Sequence, residues 1–326
     1  MTRTFAQVLD ALRARQKTLH ADYIGDLNSV HAVSETRLRF GPREALLTEH
    51  AAGQLSTVLG VNSRRWMKGA APEARLAAFR AALSVSTERR KFRLRTVGGA
   101  LECYAITRES LNPLSEHRLF EALDRYAGPT FEALRFERVE GDGETTQYLA
   151  FPPGLTLEVG PEREVWRGGW MLVNSDTGDA ALTLYDAWQR AQGGPVLSAV
   201  LDKPLLYRTH RPVKNDIDLV KYMLSAHACL LDGVDRARES LNAAARSIVK
   251  HPHDALHSLT EEDGYKAAGV HACVLLDERR PQPTRLNLAM LLSESAEALA
   301  SKRLLQRAVV ERAAGAYVRG TLAANS

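Results

Sequence analysis

Cysteine is scarce in this chain. Cys103, Cys229 and Cys273 are the three among 326 residues, odd in number and far apart in apolar runs. Such spacing does not make a disulfide framework; it fits reduced, buried thiols in a cytosolic protein. Other absences prune the functional classes. There is no paired Cys-x-x-Cys for zinc, no glycine-rich phosphate loop ending in Lys-Ser or Lys-Thr, and no Gly-x-Ser-x-Gly elbow. A zinc-ribbon protein and an ATP-driven motor are therefore disfavoured, and no cofactor is expected. No stretch is apolar for long enough to span a bilayer. Residues 1–10 follow an amphipathic helical pattern interrupted by charge, so no secretion signal is expected. The cytoplasm is the expected location, with no membrane partner.

What is present supports a proper core, since 45% apolar residues suffice for one large domain or two ordinary ones. The net charge of +4 decides little, but its distribution is uneven. Residues 60–100 hold ten basic side chains against two acidic ones, Glu73 and Glu88. Over residues 109–186 acidic side chains outnumber basic ones more than two to one, and Lys203, Arg208, Arg211 and Lys214 then form a second basic cluster. Two basic patches on an otherwise acidic body point to a directed electrostatic surface.

Hydrophobic periodicity predicts a helix over residues 4–19, a second capped by Thr48 and ended by Gly60, and a third opened by Pro72. The period then changes to two. Residues 91–97 and 101–106 flank Gly98-Gly99, a tight-hairpin signal because both glycines accept positive φ. With Val97 opposite Ala100, the register predicts Arg95 opposite Glu102, Arg93 opposite Tyr104 and Lys91 opposite Ile106, cations beside an aromatic ring. Phe92, Leu94, Leu101, Cys103 and Ala105 then share the core face. A helix over 115–126, a hairpin of 131–139 with 145–151, and strands over 164–173 and 180–188 follow. From Asp216 the chain reads helical, to about 250, then over 253–268 and 286–319. The fold class is α+β, with an antiparallel hairpin-rich sheet in residues 1–215 and a helical region in 216–326, either separate or packed on the same core.

Three groups of residues carry chemistry. His253 and His257 sit four apart on a helix, a spacing that lets two imidazoles reach one metal ion, with Asp263 and His271 as candidate third ligands. Asp254 stands where such motifs have glutamate, one methylene too short to serve well as a general base. Lys91, Arg93 and Arg95 beside Tyr104 offer what a single-stranded nucleic acid needs, cations for phosphates and a flat ring for bases. Arg64, Arg65, Trp66 and Lys68 repeat that mixture, and Tyr207, Arg208, Arg211 and Lys214 extend it. Trp166, Trp170 and Trp188 are expected in the core or at an oligomer interface.

The order of Leu47-Thr48-Glu49-His50-Ala51, Gln54-Leu55, Leu59-Gly60, Leu94-Arg95-Thr96, Tyr104-Ala105 and Asn174-Ser175-Asp176-Thr177-Gly178 resembles a phage- and plasmid-borne family, domain of unknown function 932. The chain departs from that pattern at Ile106-Thr107-Arg108-Glu109 and at Ala191-Gln192-Gly193-Gly194. The resemblance implies DNA metabolism in a mobile element, and its sheet and helices are similar to those of Rad52-like single-strand annealing proteins. The leading expectation is thus an ATP-independent, non-catalytic protein that binds or anneals single-stranded DNA and forms homo-oligomers. Two alternatives stand beside it: a metal-dependent hydrolase at His253 and His257, and an oligomeric assembly protein.

Overall fold

The computed structural model describes residues 2–61, 71–112, 114–141, 145–175, 177–178, 180–210, 213–261, 265–299 and 304–320. In chain order its first elements are β1 (Arg3–Thr4), α1 (Phe5–Gln16), β2 (Tyr23–Asp26), β3 (Val30–Ser34), β4 (Arg37–Phe40), β5 (Arg43–Leu47), α2 (Glu49–Val58), α3 (Pro72–Val85), β6 (Arg89–Val97) and β7 (Ala100–Arg108). Then come α4 (Glu116–Glu132), β8 (Arg135–Gly141), β9 (Thr146–Phe151), β10 (Thr156–Val159), β11 (Glu164–Asn174), β12 (Leu182–Arg190), β13 (Leu197–Ser198) and β14 (Leu206–Arg208). The last are α5 (Asp216–Asp232), α6 (Val234–Arg246), α7 (Pro252–Glu261), α8 (Lys266–Arg279), α9 (Arg285–Leu299) and α10 (Leu304–Arg319). The chain is α+β, as its periodicity predicts.

Contacts divide it into two compact units. One comprises Asp10–Pro113 with Asp176–Asp179 and carries a six-stranded sheet in the order β2-β6-β7-β5-β4-β3. Its neighbours are antiparallel except β5 and β7, which are parallel. Thr48 caps α2, its Oγ1 accepting from Ala51 N at 3.2 Å, and Pro72 occupies the first turn of α3, where its missing N–H costs nothing. Leu55, Phe79 and Leu83 of these helices join Leu38, Phe40, Phe92 and Leu94 of the sheet in one core. Strands β2 to β5 have no counterpart in the periodicity reading. Each is four or five residues long, too short a window for alternation to stand out.

The second unit, Met1–Leu9, Leu114–Ser175 and Ala180–Ser326, holds the antiparallel order β1-β8-β9-β11-β12-β13, with β10 beside β11 and β14 beside β12. Trp166, Trp170 and Trp188 are at most 1% exposed and fill its core. The helices beyond Asp216 belong to this same unit, and the two units part near residue 113. The expected single helix to residue 250 is two, because Gly233 ends α5. Helix α4 continues to Glu132 with a kink at Ala127, just before Pro129 removes a backbone donor, so Phe131 is helical and not in a strand. Among the described residues no helix is long and apolar enough to cross a membrane.

Gly169 in β11 has no room for a side chain. An added Cβ would run into the Ala150 carbonyl oxygen and lie 2.6 Å from Phe151 Cδ1. Gly169→Ala is expected to cost about 1–3 kcal/mol through overpacking; a urea midpoint equal to wild type would show that β9 yields freely.

Candidate nucleic-acid interface

The hairpin of β6 and β7 turns at Gly98 and Gly99, with φ of +58° and +83°. Val97 faces Ala100, Arg95 faces Glu102 and Leu94 faces Cys103, as the register predicts. A bulge follows. Arg93 pairs with Ala105, Phe92 with Ile106 and Lys91 with Thr107, so Tyr104 is an extra residue and the expected pairing is off by one beyond it. Tyr104 is 2% exposed, with the Arg93 and Arg95 guanidinium carbons 5.1 and 5.2 Å from its ring centroid.

These cations are engaged within their own unit. Arg95 Nε donates to Glu102 Oε2 at 3.1 Å, and Arg93 Nε lies 3.7 Å from Asp22. Lys91, 7% exposed, donates from Nζ to the Leu111 carbonyl at 2.7 Å and to Asn112 Oδ1 at 3.3 Å. Burial raises the pKa of Asp22, and the charges of Arg93 and Lys91 work against that rise. Burial also pushes the Cys103 thiol up to about 12, too high for a nucleophile at neutral pH. The expectation of an open cationic face with a stacking ring is therefore corrected here: the ring is covered, and a base reaches it only if the hairpin rearranges.

Exposed rings lie elsewhere, in the second unit. Arg208 ends β14, and its guanidinium stands 4.7 Å over the ring of Tyr222 on α5, which is 40% exposed. Tyr126 on α4 is 49% exposed, with Arg125 5.8 Å over its ring. Two contacts join these helices. Arg118 Nε donates to Asp216 Oδ1 at 2.7 Å near their starts, and the Phe131 and His227 rings meet at 6.2 Å further along. Helices α4 and α5 are therefore neighbours, and each carries one exposed tyrosine. Lys221 and Lys214 are exposed close by in the chain. Sequence reasoning singled out Arg208 and missed both rings; the dipeptides Arg125-Tyr126 and Lys221-Tyr222 on amphipathic helices were the available signal. Arg64, Arg65, Lys68 and Arg211 lie outside the described residues.

The residues behind the family resemblance have structural work. Thr48 caps α2, and Gln54 Oε1 accepts from Ile106 N at 2.7 Å beside the bulge. Asn174 is fully buried, and its Nδ2 donates to the Leu114 carbonyl and to Glu116 Oε1, both at 3.1 Å. Tyr148 Oη donates to the other Glu116 oxygen at 2.8 Å, so the start of α4 is clamped to β9 and β11.

His253 and His257 are on α7, as the spacing predicts. Asp263 lies outside the described residues, and His271 Nδ1 is 3.1 Å from Ser295 Oγ. Among the described residues no three His, Cys, Asp or Glu side chains are arranged around one point as metal ligands. No protein-family model matches this chain, and no curated protein or solved structure shows significant similarity to it.

Proposed function

We propose that this chain binds single-stranded nucleic acid without nucleotide hydrolysis, and that it acts as a DNA-annealing or single-strand-holding protein. The observation that carries the reading is that two neighbouring helices each present an exposed tyrosine, Tyr126 and Tyr222, with an arginine guanidinium over its ring. Rings stack on bases of any sequence, and Arg125, Arg208 and Lys221 supply charge for phosphates. Holding bases apart and screening phosphates requires no bond-breaking residue. Carboxylates share these helices: Glu121 faces His117 and Asp216 takes Arg118. Affinity is expected to fall as salt rises, with a slope set by the number of phosphates that these cations neutralise.

Fluorescence anisotropy with labelled single-stranded DNA, RNA and duplex DNA across a salt series tests this. Tyr126→Ala with Tyr222→Ala is expected to weaken single-strand binding roughly ten- to hundredfold per ring, alike for all sequences. Lost binding in a folded Arg93→Ala/Arg95→Ala variant, with the tyrosine variant unaffected, would move the site to the hairpin. Absence of binding at low salt, together with a stable oligomer in sedimentation, favours the assembly reading. Ile217, Leu224 and Leu231, exposed at intervals of seven on α5, are the surface for it.

A further inference from the structure

Positive charge is not shared evenly between the two units. Asp10–Pro113 with Asp176–Asp179 holds 17 Lys and Arg against 12 Asp and Glu, and the rest of the chain holds 26 against 27, so the excess belongs to the first of these. The cations of β6 are engaged, but the other end of the same sheet is more open. In β4, Arg37 and Arg39 alternate with buried Leu38 and Phe40, which places both on the face turned away from α2 and α3. Their side chains are 48% and 51% exposed. Both converge on Glu44, the single acidic residue of β3 to β5: Arg39 donates to Oε1 from Nε at 2.9 Å and also from Nη2, and Arg37 Nη1 lies 3.9 Å from Oε2. One carboxylate offsets one of the two guanidinia. Strand β3 is the outermost of the sheet, and Arg80 of α3 lies along it, with Nε donating to the Ala32 carbonyl at 2.9 Å and Nη2 to the Val33 carbonyl at 3.4 Å. Carbonyls carry no net charge, so these bonds leave the positive charge of Arg80 uncancelled. They also occupy acceptors that an added peptide strand would need.

We propose that the β3–β4 end of this sheet is a second nucleic-acid contact, which takes the phosphate backbone of a single strand through Arg37, Arg39 and Arg80. The ligand class rests on the function proposed above; the surface is a different one, in the other unit. Phe40, the only Phe, Tyr or Trp in β3 to β5, is 2% exposed, so this surface offers charge and no ring for a base. Guanidinium groups suit phosphate because their planar fork of N–H donors matches two oxygens at once. Outward residues two apart on a strand stand about 6.6 Å from each other, far enough for Arg37 and Arg39 to hold different phosphates. Glu44 keeps the Arg39 guanidinium in place before the ligand arrives, which lowers the ordering cost of binding. Backbone contacts of this kind hold a strand without regard to sequence and leave its bases to other groups.

The test uses the full chain and a labelled abasic single strand, which presents phosphates without bases. Wild type is expected to bind it at low salt. Arg37→Gln with Arg39→Gln should make the slope of log K against log salt shallower by about 0.7 for each arginine removed. Glu44→Gln should tighten binding, an opposite effect that misfolding does not produce. Arg238→Gln with Arg246→Gln, an equal loss of charge on α6, should leave the slope unchanged. The two surfaces fail separately. If an ordinary strand binds through Tyr126 and Tyr222 while the abasic strand does not bind, this proposal alone falls. If the abasic strand binds with a slope set by Arg37 and Arg39 while the tyrosine variant holds an ordinary strand as wild type does, the stacking site falls and this surface stands. An unchanged slope in the Arg37/Arg39 variant, an equal change in the α6 variant, or preference for poly-L-glutamate over the abasic strand would each overturn the proposal.

Discussion

Glu311→Ala is expected to destabilise the chain by about 3 kcal/mol, through the loss of buried charge-assisted hydrogen bonds to two arginines and of a partner of the buried Gln147 amide. Glu311 is fully buried on α10 and accepts from Arg138 Nη1 at 2.9 Å, Arg307 Nε at 3.0 Å and Gln147 Nε2 at 3.1 Å. The two arginine side chains are 9% and 8% exposed. Arg138 also pairs with Glu297, and Arg307 reaches Glu297 at 3.0 Å and Glu140 at 2.9 Å. Burial works against the charge of Arg138, but Glu311, Glu297 and Glu140 outweigh it and hold the guanidinium above its ordinary pKa. Removing Glu311 withdraws the one carboxylate that both arginines share in the dry part of the network. Combined Arg138→Met, Arg307→Leu and Glu311→Leu should cost less than Glu311→Ala alone, since the triple variant leaves no ion in the dry part of the network and fills it with apolar side chains. Equilibrium denaturation of both variants decides the matter, and a triple variant less stable than the single one would overturn this account.

The second large effect is a pH dependence centred on Asp186. This carboxylate is wholly buried in β12 and accepts from Trp188 Nε1 at 2.8 Å and from Leu201 N at 3.1 and 3.2 Å. Burial pushes its pKa up to about 6 from the ordinary 3.8, against the pull of those donors. The folded chain therefore holds the proton more tightly than the unfolded chain does. The stabilising contribution is complete below about pH 3.8 and is lost as pH rises through about 6, a change of about 3 kcal/mol at 1.36 kcal/mol per pK unit. Other carboxylates titrate in the same range, so the comparison with Asp186→Asn isolates the effect. The variant should lack this part of the pH slope, while its mismatched amide costs a pH-independent amount because an N–H would face a donor. Parallel stability curves for the two proteins between pH 4 and 7 would show that the charge of Asp186 is not penalised by burial.

The sites were less legible than the elements that carry them. Arg93, Arg95 and Tyr104 do come together, but as a covered group, because one extra residue at the bulge changes which way the strand beyond it faces. Cys273 and Asp277 come 16 and 24 residues after His257 and His253, and nothing in their own neighbourhood announces that they face them. Tyr126 and Tyr222 stand on neighbouring helices only because α4 meets α5, through a contact between residues 98 apart in the chain.

Caps, turns and core composition were decided by the sequence alone: Thr48 and Pro72 start helices, Gly98-Gly99 turns a hairpin, and the three tryptophans go inside. Each of these depends on backbone dihedrals and hydrogen bonds spanning a few residues, or on the hydrophobicity of a single side chain, so its signal is local. Which charged and aromatic groups meet, and whether they meet solvent, was decided only by the tertiary structure. Arg138 and Glu311 are 173 residues apart. Pairings at that distance follow from sheet order and helix packing, whose energies are summed over the whole core and leave no pattern at the residues they bring together.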